Sequence, residues 1–274
     1  MCAVVEPHGG TTVASGPGME SYFKNVHRLL EDVRALRDLP CVTIDLAGPC
    51  AYANNPYYAE MVRRFYRTTR RRHPRLWVVR DHTHGVALCH LDGGLQDYPS
   101  QVEASARRNA RKAQRKGYRF DLLDYNAELE QVRVVAGSKA VRQGALPEGY
   151  DLLQPHNNPA SRSPLHDYRY FGVFREERLA AYGEVMIAGE LAMVTHVLGH
   201  GDHMGDGVVP MTLLGMAERI AADHPQTRFL GYGTFFGAGP GLRRFKKKHG
   251  FIPHRVRWEW AGSLAHSSTV DRAA

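Results

Sequence analysis

The residues best suited to chemistry lie near the C-terminus, in 229–260, FLGYGTFFGAGPGLRRFKKKHGFIPHRVRWEW. This stretch reads as an apolar strand (Phe229, Leu230), a glycine-rich bend (Gly231, Gly233, Gly237, Gly239, Gly241), a short basic helix and a closing strand. Pro240 suits a first helical turn and Gly250 the position just past a helix end, so residues 242–249 are expected to be helical. Arg243, Arg244, Lys246, Lys247 and Lys248 crowd this helix with no acid among them, a mild repulsion that a bound anion relieves. Successive residues turn by roughly 100°, so Lys246, Lys247 and Lys248 cannot all face the bend.

Two other stretches repeat the theme. In 102–117, Val102, Ala106, Ala110, Ala113 and Gly117 form a narrow stripe of small side chains, while Arg107, Arg108, Arg111, Lys112, Arg115 and Lys116 share the broad opposite face. After Asn55 and Pro56, a helix start, Tyr58, Met61, Val62, Phe65 and Thr69 share one face and Arg63, Arg64, Arg67 and Arg71 the other. Cations gathered on helix faces are the footprint of a phosphate-binding surface. The whole chain agrees: 274 residues carry a net charge of +8 and a pI near 9.4, which points to nucleic acid, a nucleotide or anionic lipid as partner.

Composition excludes some classes. A hydrophobic content of 43% and charged content of 23% belong to a globular chain, and no apolar run reaches the roughly 20 residues of a membrane span. Cys2, Cys41, Cys50 and Cys89 form no C-x-x-C pair, and residues 1–18 lack a secretory pattern, so reduced thiols in a cytoplasmic protein are expected. His200 and His203 near Asp202 and Asp206 are the nearest approach to a metal cluster, and no metal site is assigned.

The elements that must position these residues follow in order. Residues 1–18 read as a flexible tail, about 20–36 as an amphipathic helix, and 42–46 as a strand. Residues 76–79 and 86–91 suggest a hairpin, and 144–167, rich in proline, reads as a long loop that covers a site or joins two halves. Strands follow at 170–174, 179–187 and 191–198, then a helix opened by Pro210 that stops at Asp223, His224 and Pro225. The expectation is a mixed α/β chain: a tail (1–18), a first half (19–143), a linker (144–167), a second half (168–262) and a tail (263–274).

This order of elements, with RRFKKKHGF at 243–251, resembles the C-terminal half of the GNAT acyltransferase fold. More closely, the chain resembles the Fem family of twin-GNAT proteins, which move an amino acid from aminoacyl-tRNA onto an amine. Its Gly-Leu-x-x-Phe-Lys-x-x-x-Gly element is matched by Gly241, Leu242, Phe245, Lys246 and Gly250, and its Arg-x-x-x-Arg-Lys-Ala-x-x-x-Gly helix by Arg107, Arg111, Lys112, Ala113 and Gly117. The resemblance covers most of 20–262 and implies two GNAT-related halves. Where an acetyl-CoA enzyme carries its pyrophosphate loop, residues 201–207 place Asp202 and Asp206, which would repel a pyrophosphate.

The resemblance implies an aminoacyltransferase that forms an amide without ATP, metal or cofactor, aminoacyl-tRNA being its donor substrate. The acceptor is an amine on a peptide, a nucleoside-peptide natural product (as in antibiotic biosynthesis) or a cell-wall precursor. Lys246 would stabilise the oxyanion, with Phe245 fixing the helix or stacking on the terminal adenine. The cations Arg63, Arg67, Arg71, Arg107, Arg108, Arg111, Lys112, Arg115, Lys116, Arg243, Arg244, Lys247 and Lys248 would hold the tRNA. Glu184, His196 and Glu218 are candidates for a general base or substrate contact. The competing readings are an acetyl-CoA-dependent N-acyltransferase and a non-catalytic RNA-binding protein.

Overall fold

The computed structural model describes residues 36, 38–46, 55–72, 80, 82–91, 97–139, 153–157, 163, 165–236 and 238–260. The expected helix over 20–36 and the strand over 76–79 lie outside the described residues, as do both tails and most of the 144–167 loop. The fold is mixed α/β, built on one eight-stranded sheet in the order β1-β8-β2-β7-β6-β5-β4-β3. Its strands are β1 (Cys41–Asp45), β2 (His84–His90), β3 (Arg119–Leu122), β4 (His166–Arg175), β5 (Arg178–Ala188), β6 (Leu191–Gly199), β7 (Phe229–Thr234) and β8 (Ile252–Glu259). The helices are α1 (Pro56–Thr69), α2 (Asp97–Gln101), α3 (Ala104–Arg115), α4 (Leu129–Gly137), α5 (Val208–Asp223) and α6 (Pro240–Lys248).

Local chemistry sets the expected helix ends. Asn55 caps α1 by accepting from the Tyr57 amide at 3.2 Å, and Pro56 follows at the first turn. Pro240 opens α6 in the same way. By contrast α5 begins before Pro210, at Val208, after a 3-10 turn (Gly201–Asp206). The strand β7 also runs beyond Phe229 and Leu230, so Gly231 and Gly233 belong to it rather than to the bend.

The sheet is shared between the expected halves. Both edges of β2 are occupied, by β7 and by β8. β1 lies parallel to β8. The segments 19–143 and 168–262 therefore contribute strands to a single sheet.

Alternation along the strands sorts the helices onto two faces. Val185 and Ile187 of β5 join Leu213, Met216 and Ile220 of α5, Tyr98 of α2 and Ala106 of α3 in one core. Met186 and Ala188 point the other way, toward Val62, Met61 and Phe65 of α1, and Tyr182 on that face meets Leu129 and Val132 of α4. Thus α2, α3, α5 and α6 cover one face, and α1 and α4 the other. No described helix is long and apolar enough to cross a membrane.

Candidate active site

The sheet opens where β6 meets β7. These parallel strands pair along Leu191–Met193 and Phe229–Gly231, and beyond those residues the ladder stops although both strands continue. Residues 194–198 and 232–234 thus diverge and leave a gap in the middle of the sheet.

Lys246 reaches this gap from the α5 face. Helix periodicity turns it away from its exposed neighbour Lys247, and only 3% of its surface is accessible. Its Nζ donates to the Thr234 carbonyl at 2.6 Å and lies over the rings of Tyr232 and Phe235, 5.3 and 5.6 Å from their centroids. Burial, helped by the Arg243 charge, lowers its pKa from 10.5 to about 8. A pKa so placed leaves the group mostly charged near neutrality. Gly233 beside it has φ +56, a left-handed conformation that suits glycine, while a Cβ there would meet Nζ at an ordinary contact distance of 3.7 Å. Phe245 packs against His249 and Tyr232, with centroids at 4.2 and 6.2 Å, which anchors α6.

On the α1 face, His196 lies on the stretch of β6 that borders the gap, and Glu184 lies opposite it on β5. The carboxylate accepts from Tyr168 Oη at 2.9 Å and lies 3.2 Å from His196 Nδ1. Burial pushes the Glu184 pKa up, but the bonds from His196 and Tyr168 outweigh it and hold the carboxyl below its usual range. The same pairing raises His196. Glu218 lies elsewhere: it lines a groove of about 210 Å³ between α3 and α5 with Arg107, Arg111, Gln114, Phe120 and Leu214, and burial raises its pKa.

The basic helices do not form one surface. Arg63, Arg67 and Arg71 belong to α1 and its end, on the opposite sheet face from α3. The helices α3 and α6 do adjoin, the Glu103 amide donating to the Lys248 carbonyl at 3.0 Å. Arg108, Arg111, Arg115, Arg244 and Lys247 are exposed, and none makes an ion pair among the described residues. Sequence reasoning missed Arg70, Arg80, Arg255 and Arg257, which line a hollow of about 570 Å³ with Tyr66 and Trp258. The alternation Arg255-Val-Arg257-Trp258 was its only trace in the sequence.

Lys112 and Lys116 are engaged by the 3-10 turn instead, although both side chains stay roughly half exposed. Lys112 donates to the Gly205 carbonyl at 2.7 Å, and Lys116 pairs with Asp206, which also accepts from Tyr118 Oη at 2.9 Å. Asp206 is held below its ordinary pKa chiefly by Lys116. The charge expected to repel a pyrophosphate is therefore neutralised at Asp206. What guards the start of α5 is α3 itself: Gly207, at φ +91, packs so tightly that a Cβ would lie 2.1 Å from the Asn109 carbonyl oxygen. Val208 and Val209 are buried behind it, so the first amides of α5 are not presented to an anion.

No family model matches the chain, and no curated protein matches it. Its backbone is similar to that of solved GNAT-type structures at low identity. For FemX the TM-score is 0.49 and the identity 11%, over 66% of this chain and 63% of that one. L-PGS from Bacillus licheniformis gives 0.38 and 14%, over 69% and 65%. A tandem GNAT protein from the clavulanic acid biosynthesis pathway gives 0.40 and 14%, over 88% and 70%. The chain thus spans less than two thirds of the length of FemX and of L-PGS.

Proposed function

We propose that this chain is an aminoacyltransferase that takes its acyl group from aminoacyl-tRNA and forms an amide on an amine acceptor. The observation that carries the reading is the buried Lys246 ammonium at the opening between β6 and β7. Desolvated and preorganised, it is placed to meet an oxyanion that forms in that gap. An aminoacyl ester is already activated, so the protein has to align the amine with the ester carbonyl and stabilise the tetrahedral intermediate. The C–N bond forms, the C–O bond to the ribose breaks, and a proton passes from the attacking nitrogen to the ribose oxygen.

Two features favour a tRNA donor over acetyl-CoA. The α5 N-terminus, where backbone amides would receive a pyrophosphate, is covered by α3. The exposed cations of α3 and α6 lie on the same sheet face from which Lys246 enters, a track suited to an acceptor stem. The Fem-like sequence elements coincide with this arrangement, since the one carrying Arg107, Arg111 and Lys112 forms α3 and the one carrying Phe245 and Lys246 forms α6. The test is direct binding: filter retention of charged tRNA and calorimetry of acetyl-CoA with the same preparation. Micromolar tRNA binding with no acetyl-CoA heat supports the reading, and saturable acetyl-CoA binding without tRNA retention overturns it.

A further inference from the structure

The α1 face of the gap holds a carboxylate that oxyanion stabilisation does not use. Glu184 is 6% exposed, and such burial is costly unless the charge is hydrogen-bonded. A bulge supplies the partners: Glu184 pairs with His196 and Val185 with Val194, which leaves Thr195 as the extra residue. Tyr168 Oη at 2.9 Å, His196 Nδ1 at 3.2 Å and Thr195 Oγ1 at 3.5 Å all meet the same oxygen, Oε2. Oε1 accepts no hydrogen bond among the described residues and is not sealed from solvent. The carboxylate thus spends one oxygen on the protein and leaves the other unbonded among these residues.

Its surroundings are aromatic. Tyr168 and Tyr170 have centroids 5.4 Å apart, and the His156 ring lies tilted 5.3 Å from Tyr170, near enough to Glu184 to influence it. An accessible carboxylate oxygen favours an ammonium ion and disfavours an anion. His196 is fixed at one end only. With Nδ1–H donated to an ionised Glu184, the imidazole offers a lone pair at Nε2, and the side chain is 53% exposed.

We infer that Glu184, His196, Tyr168 and Thr195 form the acceptor pocket, and that the acceptor is an aliphatic primary amine that arrives as its ammonium ion. This rests on the acyl-transfer reading above and supplies its missing half. Glu184 Oε1 holds the ammonium, and His196 Nε2 takes one proton from it, which frees the nitrogen lone pair. The amine attacks the ester carbonyl through the gap, its second proton leaves with the ribose oxygen, and the imidazolium returns its proton to solvent. The acid-base group and the oxyanion partner therefore approach from opposite faces of the sheet, and each acts without displacing the other.

The experiment is histidine side-chain NMR on the full chain without donor, with Nα-acetyl-lysine methylamide as probe and its norleucine counterpart, which lacks the ammonium, as control. The His196 signal is assigned by its loss in His196→Asn. The pocket predicts a saturable His196 shift with the lysine probe, none with the norleucine probe, and loss of the shift in Glu184→Gln. Should Glu184→Gln not fold, Glu184→Asp withdraws the oxygen by one methylene and serves the same purpose. Equal shifts with both probes, no shift, or a shift that survives in the Glu184 variant overturns the assignment. Turnover separates this from the donor reading. If His196 responds as described but no amide forms from charged tRNA, the pocket stands and the aminoacyl-tRNA reading falls. If amide does form and Glu184→Gln leaves the KM for the amine unchanged, rather than raising it at least about tenfold, the pocket falls and the donor reading stands.

Discussion

Replacing Lys246 with methionine keeps an unbranched stem in the slot between Tyr232 and Phe235 and removes the charge. The lowering of its pKa from 10.5 to about 8 means that the fold disfavours the charged form by roughly 3 kcal/mol relative to water. An ammonium so poorly solvated interacts strongly with an anion that develops beside it. Loss of one preorganised donor of this kind costs about 10²–10³ in rate, so Lys246→Met should slow single-turnover amide formation by that factor at pH 7. Lys248→Met, which removes the same formal charge from a half-exposed position, should stay within about twofold. The pH profile adds a second signature. With a pKa of about 8, roughly nine-tenths of Lys246 is charged at pH 7 and roughly one-tenth at pH 9, so the rate should fall about tenfold across that interval. Lys246→Arg should be slower at pH 7 yet lack this alkaline limb, because a guanidinium stays protonated. The assay uses pre-charged tRNA with enzyme in excess, corrected for spontaneous ester hydrolysis at each pH. Equal, small losses in Lys246→Met and Lys248→Met, or an alkaline limb that persists in Lys246→Arg, would refute the oxyanion role.

Three further outcomes follow. The unfolded chain holds the Lys246 proton up to about pH 10.5 while the folded chain releases it near 8, so stability should rise with pH between those values and Lys246→Met should flatten the rise in urea titrations. Reversing Arg111 and Arg115 to Glu should weaken tRNA binding and reduce the slope of log affinity against log salt by about one to two; an unchanged slope would return these cations to a solvated surface. Gly207→Ala places a Cβ 2.1 Å from the Asn109 oxygen at φ +91, and should cost about 2 kcal/mol or more by urea midpoint through loss of the α3 contact.

Much of the sheet was legible in the sequence because β4, β5 and β6 are long, apolar and bounded by tight turns. At the β4–β5 turn even Glu176 and Glu177, at φ 49 and 61, adopt the left-handed conformation that a short hairpin demands. The stripe Ala106, Ala110 and Ala113 and the caps at Asn55 and Pro240 were local signals, and they hold. The place of β2 between β7 and β8 was not legible, since pairing so distant in sequence leaves no local mark. Helix α4 went unassigned because its stripe of Leu129, Val132 and Val135 is short and Val134 is exposed on the other side. At the site, Lys246 was selected by its match to a family element, whereas its burial depends on Tyr232, Phe235 and the divergence of β7 from β6. Glu184 and His196 were only two candidates among several until the bulge at Thr195 brought them together. The bonds of Lys112 and Lys116 were likewise hidden, because their partners Gly205 and Asp206 lie far along the chain.

The account turns on where the acyl group comes from. The most direct measurement incubates the enzyme with a primary amine and tRNA charged with labelled amino acids, and detects the amide product by mass spectrometry. Parallel reactions contain ribonuclease-treated tRNA, or acetyl-CoA in place of charged tRNA. The account predicts aminoacylated amine from intact charged tRNA alone, with no product after ribonuclease and none from acetyl-CoA. Acetylated amine formed from acetyl-CoA, together with no aminoacyl product from charged tRNA, would contradict it.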